Sequence, residues 1–333
     1  MTDVRELLAD EARGLLERHC GPDVVSRTEA EGWSEKLWMQ LERADLCRVG
    51  LAEELGGAGG GLPEAAAVVS AAASFAAPVP LAETCLLGGW LLQQAGFSIP
   101  LGPISAGQAR DGVAEVPYGR SANAIAILFE EGDAWQVARL HPGDYTIDEG
   151  ANLAGESRDT VRIRRLADAR AAPAGIDAFA FEARGALARS VQMAGALDRL
   201  AALTAEYAGQ REQFGSPIVR FQAVQALLVG AAQEAAAARA AVDAAVRAPT
   251  RYRIAAAKVR AGEAAGAAAE MAHQVHGAIG FTHEHQLHHF TRRLWSWREE
   301  YGGEARWATV LGEQVLEAGA DQIWRLIASE GDL

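Results

Sequence analysis

Apolar residues recur at intervals of three and four over most of this chain, and the places where that rhythm changes mark its organisation. In the first hundred residues Val4, Leu7, Leu8, Ala12, Leu15 and Leu16 form one helical stripe. Trp38, Leu41 and Leu46 indicate a second, short helix ahead of the turn-rich stretch EELGGAGGGLPE. Between about 101 and 180 the character changes to short β-like runs, NAIAILFEEGD, AWQVARLHPGD, YTIDEG and TVRIRRL, separated by turn residues. From 181 onward the helical period returns. Residues 186–208, 222–247 and 252–275 read as long helices with alanine-lined faces that let backbones approach closely, and a fourth lies near 305–328. Pro217, Pro249 and Gly277 fall where the connecting loops belong. The pattern predicts a mainly α protein with a small β-domain: an N-terminal helical domain over 1–100, a middle β-domain over 101–180 and a C-terminal four-helix bundle over 181–333.

Half of the 333 residues are hydrophobic and 23% are charged, enough apolar material for two or three packed units. The formal net charge of -13 leaves no basic excess to displace counterions from phosphate, so nucleic acid and anionic membrane are poor partners. No window approaches the ~20 apolar residues that span a bilayer. The opening segment alternates charge with apolar positions, unlike a signal peptide, and implies a cytoplasmic protein. Cys20, Cys47 and Cys85 are odd in number and lack CxxC spacing, which suits reduced core thiols. The glycines at 56, 57, 59, 60 and 61 lack both a following GK[ST] and a clear preceding strand, so they read as a plain loop and not a phosphate cradle.

Candidate chemistry gathers in three stretches near the C-terminus. In QREQFGSPIVRFQAVQ (210–225) the helix breaks at Ser216-Pro217, leaving Arg211 in the last turn of one helix and Phe221 and Gln222 at the start of the next. A C-terminal arginine can satisfy its own helix carbonyls. It can also offer a planar guanidinium to a diphosphate, with an aromatic ring and side-chain amides beside it. In QVHGAIGFTHEH (274–285) a glutamine closes a helix, and Gly277 and Gly280 open a loop that another backbone or a cofactor can approach. Six of the eight histidines, His273, His276, His283, His285, His288 and His289, lie nearby. Glu270 and His273 make one Glu-x-x-His pair, but a di-iron bundle needs a second, and none is found, so no metal is assigned. RRLWSWREEYGGEARW (292–307) reads as an interface or bundle-capping loop. Trp295 and Trp297 fall on different helical faces, so that one of them is expected to meet a partner.

In this order, LAEELGGAGG, VPYGRSANAIAIL, REQFGSPIVRFQ, QVHGAIGFTHE and an arginine-to-YGG segment resemble the acyl-CoA dehydrogenase family across nearly the whole chain. The resemblance implies the same three-part fold, assembled as dimers or dimers of dimers, and α,β-oxidation of a CoA thioester. In that chemistry a carboxylate takes the α-proton while a hydride passes to flavin. It also implies a flavin site shared between chains. On that basis Arg211, Gln213, Phe214, Ile218, Phe221 and Gln222 in the bend, with Gln274, His276, Gly277 and Ala278 in the loop, are expected to hold the adenosine diphosphate end of another chain's FAD.

The half that would serve the chain's own flavin departs from the family pattern. The middle segment is abbreviated and lacks the acidic-Gly-Ser-Asp loop and the tryptophan-containing strand. Where tyrosine, glutamate, glycine and threonine are usual, this chain has Tyr301, Gly302, Gly303 and Glu304. The alternative base position falls on Gly185, and Glu304 stands where an anion would repel the flavin diphosphate. No catalytic residue is assigned. The resemblance therefore points to the short subunit of heteromeric, steroid side-chain acyl-CoA dehydrogenases, in an α2β2 assembly with a full-length partner. A self-sufficient homomer using Glu182, Glu299, Glu300 or Glu304 as base, and a non-catalytic scaffold subunit, are the alternatives.

Overall fold

The computed structural model describes residues 3–29 and 31–328. The chain divides into two compact units, residues 1–188 and 189–333, with the division inside one long helix. The ends of the expected first and third domains, residues 1–2 and 329–333, lie outside the described residues.

The first unit opens with helices α1 (Val4–His19), α2 (Pro22–Thr28), α3 (Glu35–Arg43), α4 (Leu62–Ala73) and α5 (Gly89–Gln94). Caps set their starts: Asp3 accepts from the Arg5 N–H, and Ser34 from the Leu37 N–H. The stripe read from the sequence faces inward at Ala12, Leu15 and Leu16, and α1 packs on α4. The glycine-rich stretch is a loop closed on its own backbone, with Gly57 N–H donating to Ala52 and Gly59 N–H to Leu51. A π-helical turn, Glu83–Gly88, leads into α5. There the Thr84 hydroxyl donates to the Ile104 carbonyl and accepts from the Ile104 N–H, tying the helices to the first strand.

Seven strands follow: β1 (Ile104–Gln108), β2 (Val113–Pro117), β3 (Ala124–Glu131), β4 (Ala134–Leu140), β5 (Tyr145–Asp148), β6 (Arg158–Ile163) and β7 (Ala169–Ala171). They form two sheets, ordered β1-β3-β4-β7 and β2-β6-β5, with only β1 and β3 parallel. Ile125, Ile127 and Phe129 of β3 enter a core cluster with Ala114, Val116 and Val161 of the other sheet. Alternation along β3 then sends Ala126 and Leu128 to its opposite face, which is also buried. The four sequence-read runs are β3, β4, β5 and β6. The strands missed, β1, β2 and β7, are three to five residues long and show no clear alternation.

The helix α6 (Ala178–Gln210) leads into the second unit. A two-stranded hairpin, β8 (Glu212–Gln213) with β9 (Ser216–Pro217), follows, then α7 (Gln222–Arg247), α8 (Arg251–His276), α9 (Leu287–Glu299), α10 (Glu304–Ala318) and α11 (Ile323–Ala328). α7 and α8 form a helical hairpin around Pro249, with Thr250 capping α8 through the Arg253 N–H. α8 is the central helix, packed by α7, α9 and α10, and its alanines Ala257, Ala261, Ala264, Ala265 and Ala269 are fully buried. Two expectations change. The helix expected near 305–328 ends at Gly319, which sits at φ 81, and resumes as α11. The stretch from Arg292 is not a loop, because it begins inside helix α9. There Trp297 is buried in the bundle and Trp295 lies half-buried on His273, 5.8 Å between ring centroids. No described helix is long and apolar enough to cross a membrane.

Candidate functional site at the open end of the bundle

Hairpin topology places the start of α7 and the end of α8 at one end of the bundle, and α6 ends there too. Tyr207 of α6 stacks on His276 of α8 with ring centroids 4.3 Å apart, and its hydroxyl donates to the His276 carbonyl at 3.4 Å. One turn beyond Tyr207 lies Arg211, whose N–H still donates to the Tyr207 carbonyl. The two motifs singled out from the sequence are therefore neighbours in space.

After Arg211 the chain reverses through Phe214 and Gly215, both at positive φ (55° and 80°), the handedness a two-residue hairpin turn demands. A left-handed phenylalanine is strained, and this one is also 93% exposed, standing edge-on to Phe221 at 6.0 Å. α7 then begins with no side-chain cap, leaving its first N–H groups and positive dipole end facing outward. Arg211 and Arg220 flank it, both exposed, and neither guanidinium has a hydrogen bond or ion pair among the described residues. Arg220 was missed by the motif reading. Its signal, a cation two residues before a helix start, is too common to stand out in a sequence.

The remaining predicted residues divide by exposure. Gln222, Gln274, Gly277 and Ala278 are exposed, Ile218 and Phe221 are half-buried, and the Gln213 amide donates to the Glu212 carbonyl. Gly277 has φ 62, and a Cβ there would meet nothing within 4 Å, so the glycine is needed for backbone conformation while space remains above it. His276 differs. It is buried, its Nδ1 hydrogen-bonds the Ala272 carbonyl at 2.7 Å, and burial drives its pKa down to about 4, so the ring is neutral. Its Nε2 is a buried nitrogen without a hydrogen bond. His285 stands edge-on to both His276 and Tyr207, at 4.6 and 5.7 Å, and His273 is stacked on Phe281 and Trp295. The histidine concentration thus forms, in this part, an aromatic shelf beneath the loop.

Two guanidinia unpaired among the described residues and an uncapped helix start offer donors that suit a diphosphate, and the open glycine and projecting ring leave space and an apolar face beside them. The residues fit the nucleotide end of FAD. Arg211, Arg220 and the α7 N-terminus would hold its phosphates.

The corner carrying Tyr301 to Glu304 lies elsewhere in the second unit and is built differently. Arg189 Nε donates to Glu300 at 2.6 Å, and Arg298 Nε to Glu304 at 2.9 Å. Lys258 donates to the carbonyls of Trp297 and Arg298 at 3.1 and 2.5 Å, and burial lowers its pKa to about 8 against the opposing pull of Glu304 and Glu300. In the first unit Glu182 is half-buried and Gly185 buried on α6. Arg184 beside them donates to the Leu86 carbonyl with its pKa lowered to about 10 by burial.

The succession of helices, paired sheets and helical bundle defines an acyl-CoA dehydrogenase fold. It aligns with a chain of the ChsE4-ChsE5 complex from Mycobacterium tuberculosis at a TM-score of 0.86, with 22% identity over 96% of this chain and 99% of that one. It aligns with the Tcur3481-Tcur3483 steroid ACAD G363A variant at 0.81, with 21% identity over 94% and 98%. Residues 2–97 match the acyl-CoA dehydrogenase N-terminal domain, and residues 181–316 the C-terminal domain. The acyl-CoA dehydrogenase IpdE2 of Mycobacterium tuberculosis is 32% identical over 87% of this chain and 90% of its own length. The chain belongs to the acyl-CoA dehydrogenase family, oxidoreductases that generally bind FAD.

Proposed function

We propose that this chain is the short subunit of a heteromeric acyl-CoA dehydrogenase. In this reading it clamps the diphosphate of an FAD whose ring rests mainly in a full-length partner subunit, in an α2β2 assembly. The observation that carries the reading is the contrast between two places in the second unit. The bundle end offers unpaired cations, while the carboxylates of the Tyr301 corner are already committed to arginines. When bound, the flavin supplies the acceptor for the β-hydride of the thioester. This chain's residues bind and orient: Arg211 and Arg220 neutralise phosphate, Phe214 covers a ring, and Gln222 and Gln274 offer amides to the ribose or base. The partner supplies the α-proton acceptor and most of the acyl site. Likeness in fold to a two-component complex and to a steroid enzyme supports a bulky, steroid-type acyl-CoA as substrate.

The test is to purify the chain alone and with the full-length partner, then measure bound flavin and acyl-CoA oxidation. The lone chain is expected to hold little flavin and show no turnover, and the complex to hold one FAD per two chains. Arg211→Ala should weaken flavin retention by roughly 10- to 100-fold, the worth of one charge-assisted hydrogen bond, without dissociating the complex. Full loading and turnover by the lone chain would reject the division of labour. Intact partner activity with Arg211→Ala would favour a scaffold instead.

A further inference from the structure

The corner from Trp297 to Glu304 joins α6, α8, α9 and α10 through buried cations and partly buried carboxylates, the side chains of Glu300 and Glu304 being 18% and 21% exposed. Arg189 and Lys258 are each 1% exposed. Arg189 donates to Glu300 and to the Gln192 amide oxygen and lies over the Tyr301 ring at 5.6 Å. Lys258 reaches across from α8 to the last carbonyls of α9, which have no partners within their own helix, and its charge opposes the negative end of that helix dipole. The backbone then reverses through Tyr301 and Gly302, at φ 55 and 88, and the Trp307 indole N–H fixes the turn by donating to the Tyr301 carbonyl at 2.8 Å. Glu304 opens α10, pairs with Arg298, and lies against Gly262 of α8 so closely that a Cβ there would fall 2.3 Å from its Oε1.

We propose that this corner is an electrostatic brace and not a proton-transfer site. Glu300 and Glu304 are positioning residues that lock α6, α8, α9 and α10 together, and neither accepts a proton from substrate. A general base needs a carboxylate oxygen facing the carbon acid and open to it. Here Glu300 would have to give up its 2.6 Å charge-assisted bond to a buried guanidinium, at a cost to the packing of the corner. Glu304 is paired with Arg298 and lies against Gly262, where an added Cβ would press on its carboxylate. The inference rests on the family reading, and it deepens the proposed function by removing two candidate bases from this chain.

The experiment uses the complex with its full-length partner, carrying Glu300→Gln or Glu304→Gln, and reads thermal midpoint, bound flavin and oxidation of a steroid side-chain CoA thioester with ferrocenium as acceptor. The expected result is a midpoint lowered by about 5 to 10 °C, with kcat and flavin content within about threefold of the parent. A loss of kcat beyond 100-fold with an unchanged midpoint overturns the proposal, as does an unchanged midpoint by itself. Should a single variant fail to assemble, Arg189→Met with Glu300→Met removes both charges together and is expected to restore assembly and rate. Failure of that pair to restore them counts against the brace. Gly262→Ala supplies an independent arm: it should lower the midpoint in the parent and be neutral or stabilising beside Glu304→Ala, where the clash is gone. Equal effects in both backgrounds overturn the packing argument. If the lone chain itself turns over, the division of labour fails, and the same carboxylate variants in that homomer judge the brace separately.

Discussion

At Phe214 a side chain 93% exposed is held at φ 55, with an edge-on contact to the Phe221 ring. Phe214→Gly should therefore raise or leave unchanged the thermal midpoint, by up to about 1 kcal/mol of relieved strain, while lowering flavin retention in the complex. A fall in midpoint would show that the ring packs within the fold. Lys258 gives a second test. Its pKa is about 8 in the folded chain against 10.5 when unfolded, so the unfolded state binds more protons between those values. Its contribution to stability is full above 10.5 and is lost as pH falls through 8. Denaturant titrations should show bundle stability rising across that window, and Lys258→Met should flatten the rise. Arg211 was legible in the sequence because a cation beside a Pro-broken helix end is a local pattern. Its freedom from partners was not, because that depends on what the rest of the bundle end leaves uncovered.

Among the elements, α8 carries the most. Its fully buried alanines set the distance to α7, α9 and α10, so Ala264→Leu should cost about 1–3 kcal/mol by overpacking, read as a lower denaturation midpoint. At its end, burial holds His276 and His273 below the ordinary histidine pKa, as it does His285. Groups depressed in this way stabilise fully above the unfolded value of 6.5. For His276 that stability is lost as pH falls toward about 4. The bundle end should loosen in that acid window before the rest of the chain, and hydrogen exchange at 274–285 compared at pH 7 and pH 5 measures it. Uniform exchange at both values would remove the shelf's role. The long helices were read from their period with ends within a few residues for α7 and α8, since proline and glycine punctuate both. α9 went unread as a helix because its aromatic and charged residues mask the stripe that buries Leu287, Phe290, Leu294 and Trp297.

For the whole molecule, the division of labour has a stoichiometric consequence. One flavin per two chains is expected in the complex, measured as flavin absorbance against protein mass, and two per pair would mean that this chain also seats its own. The net charge of -13 bears on partners only through its lack of a basic excess. The cationic end of an otherwise acidic chain is local, made by two arginines and a helix dipole.

What the sequence alone determined is the order of helices, sheet and bundle, together with the motifs at the bundle end. These follow from periodicity, turn residues and family-like spacing, all of which are local along the chain. Only the tertiary structure decided what each charge faces. Arg189 and Glu300 lie 111 residues apart and meet at hydrogen-bond distance, whereas the Arg211 guanidinium, within a recognisable motif, has no partner among the described residues. The physical reason is that pairing and desolvation are set by which helices pack together, and a linear pattern of charges leaves that choice open.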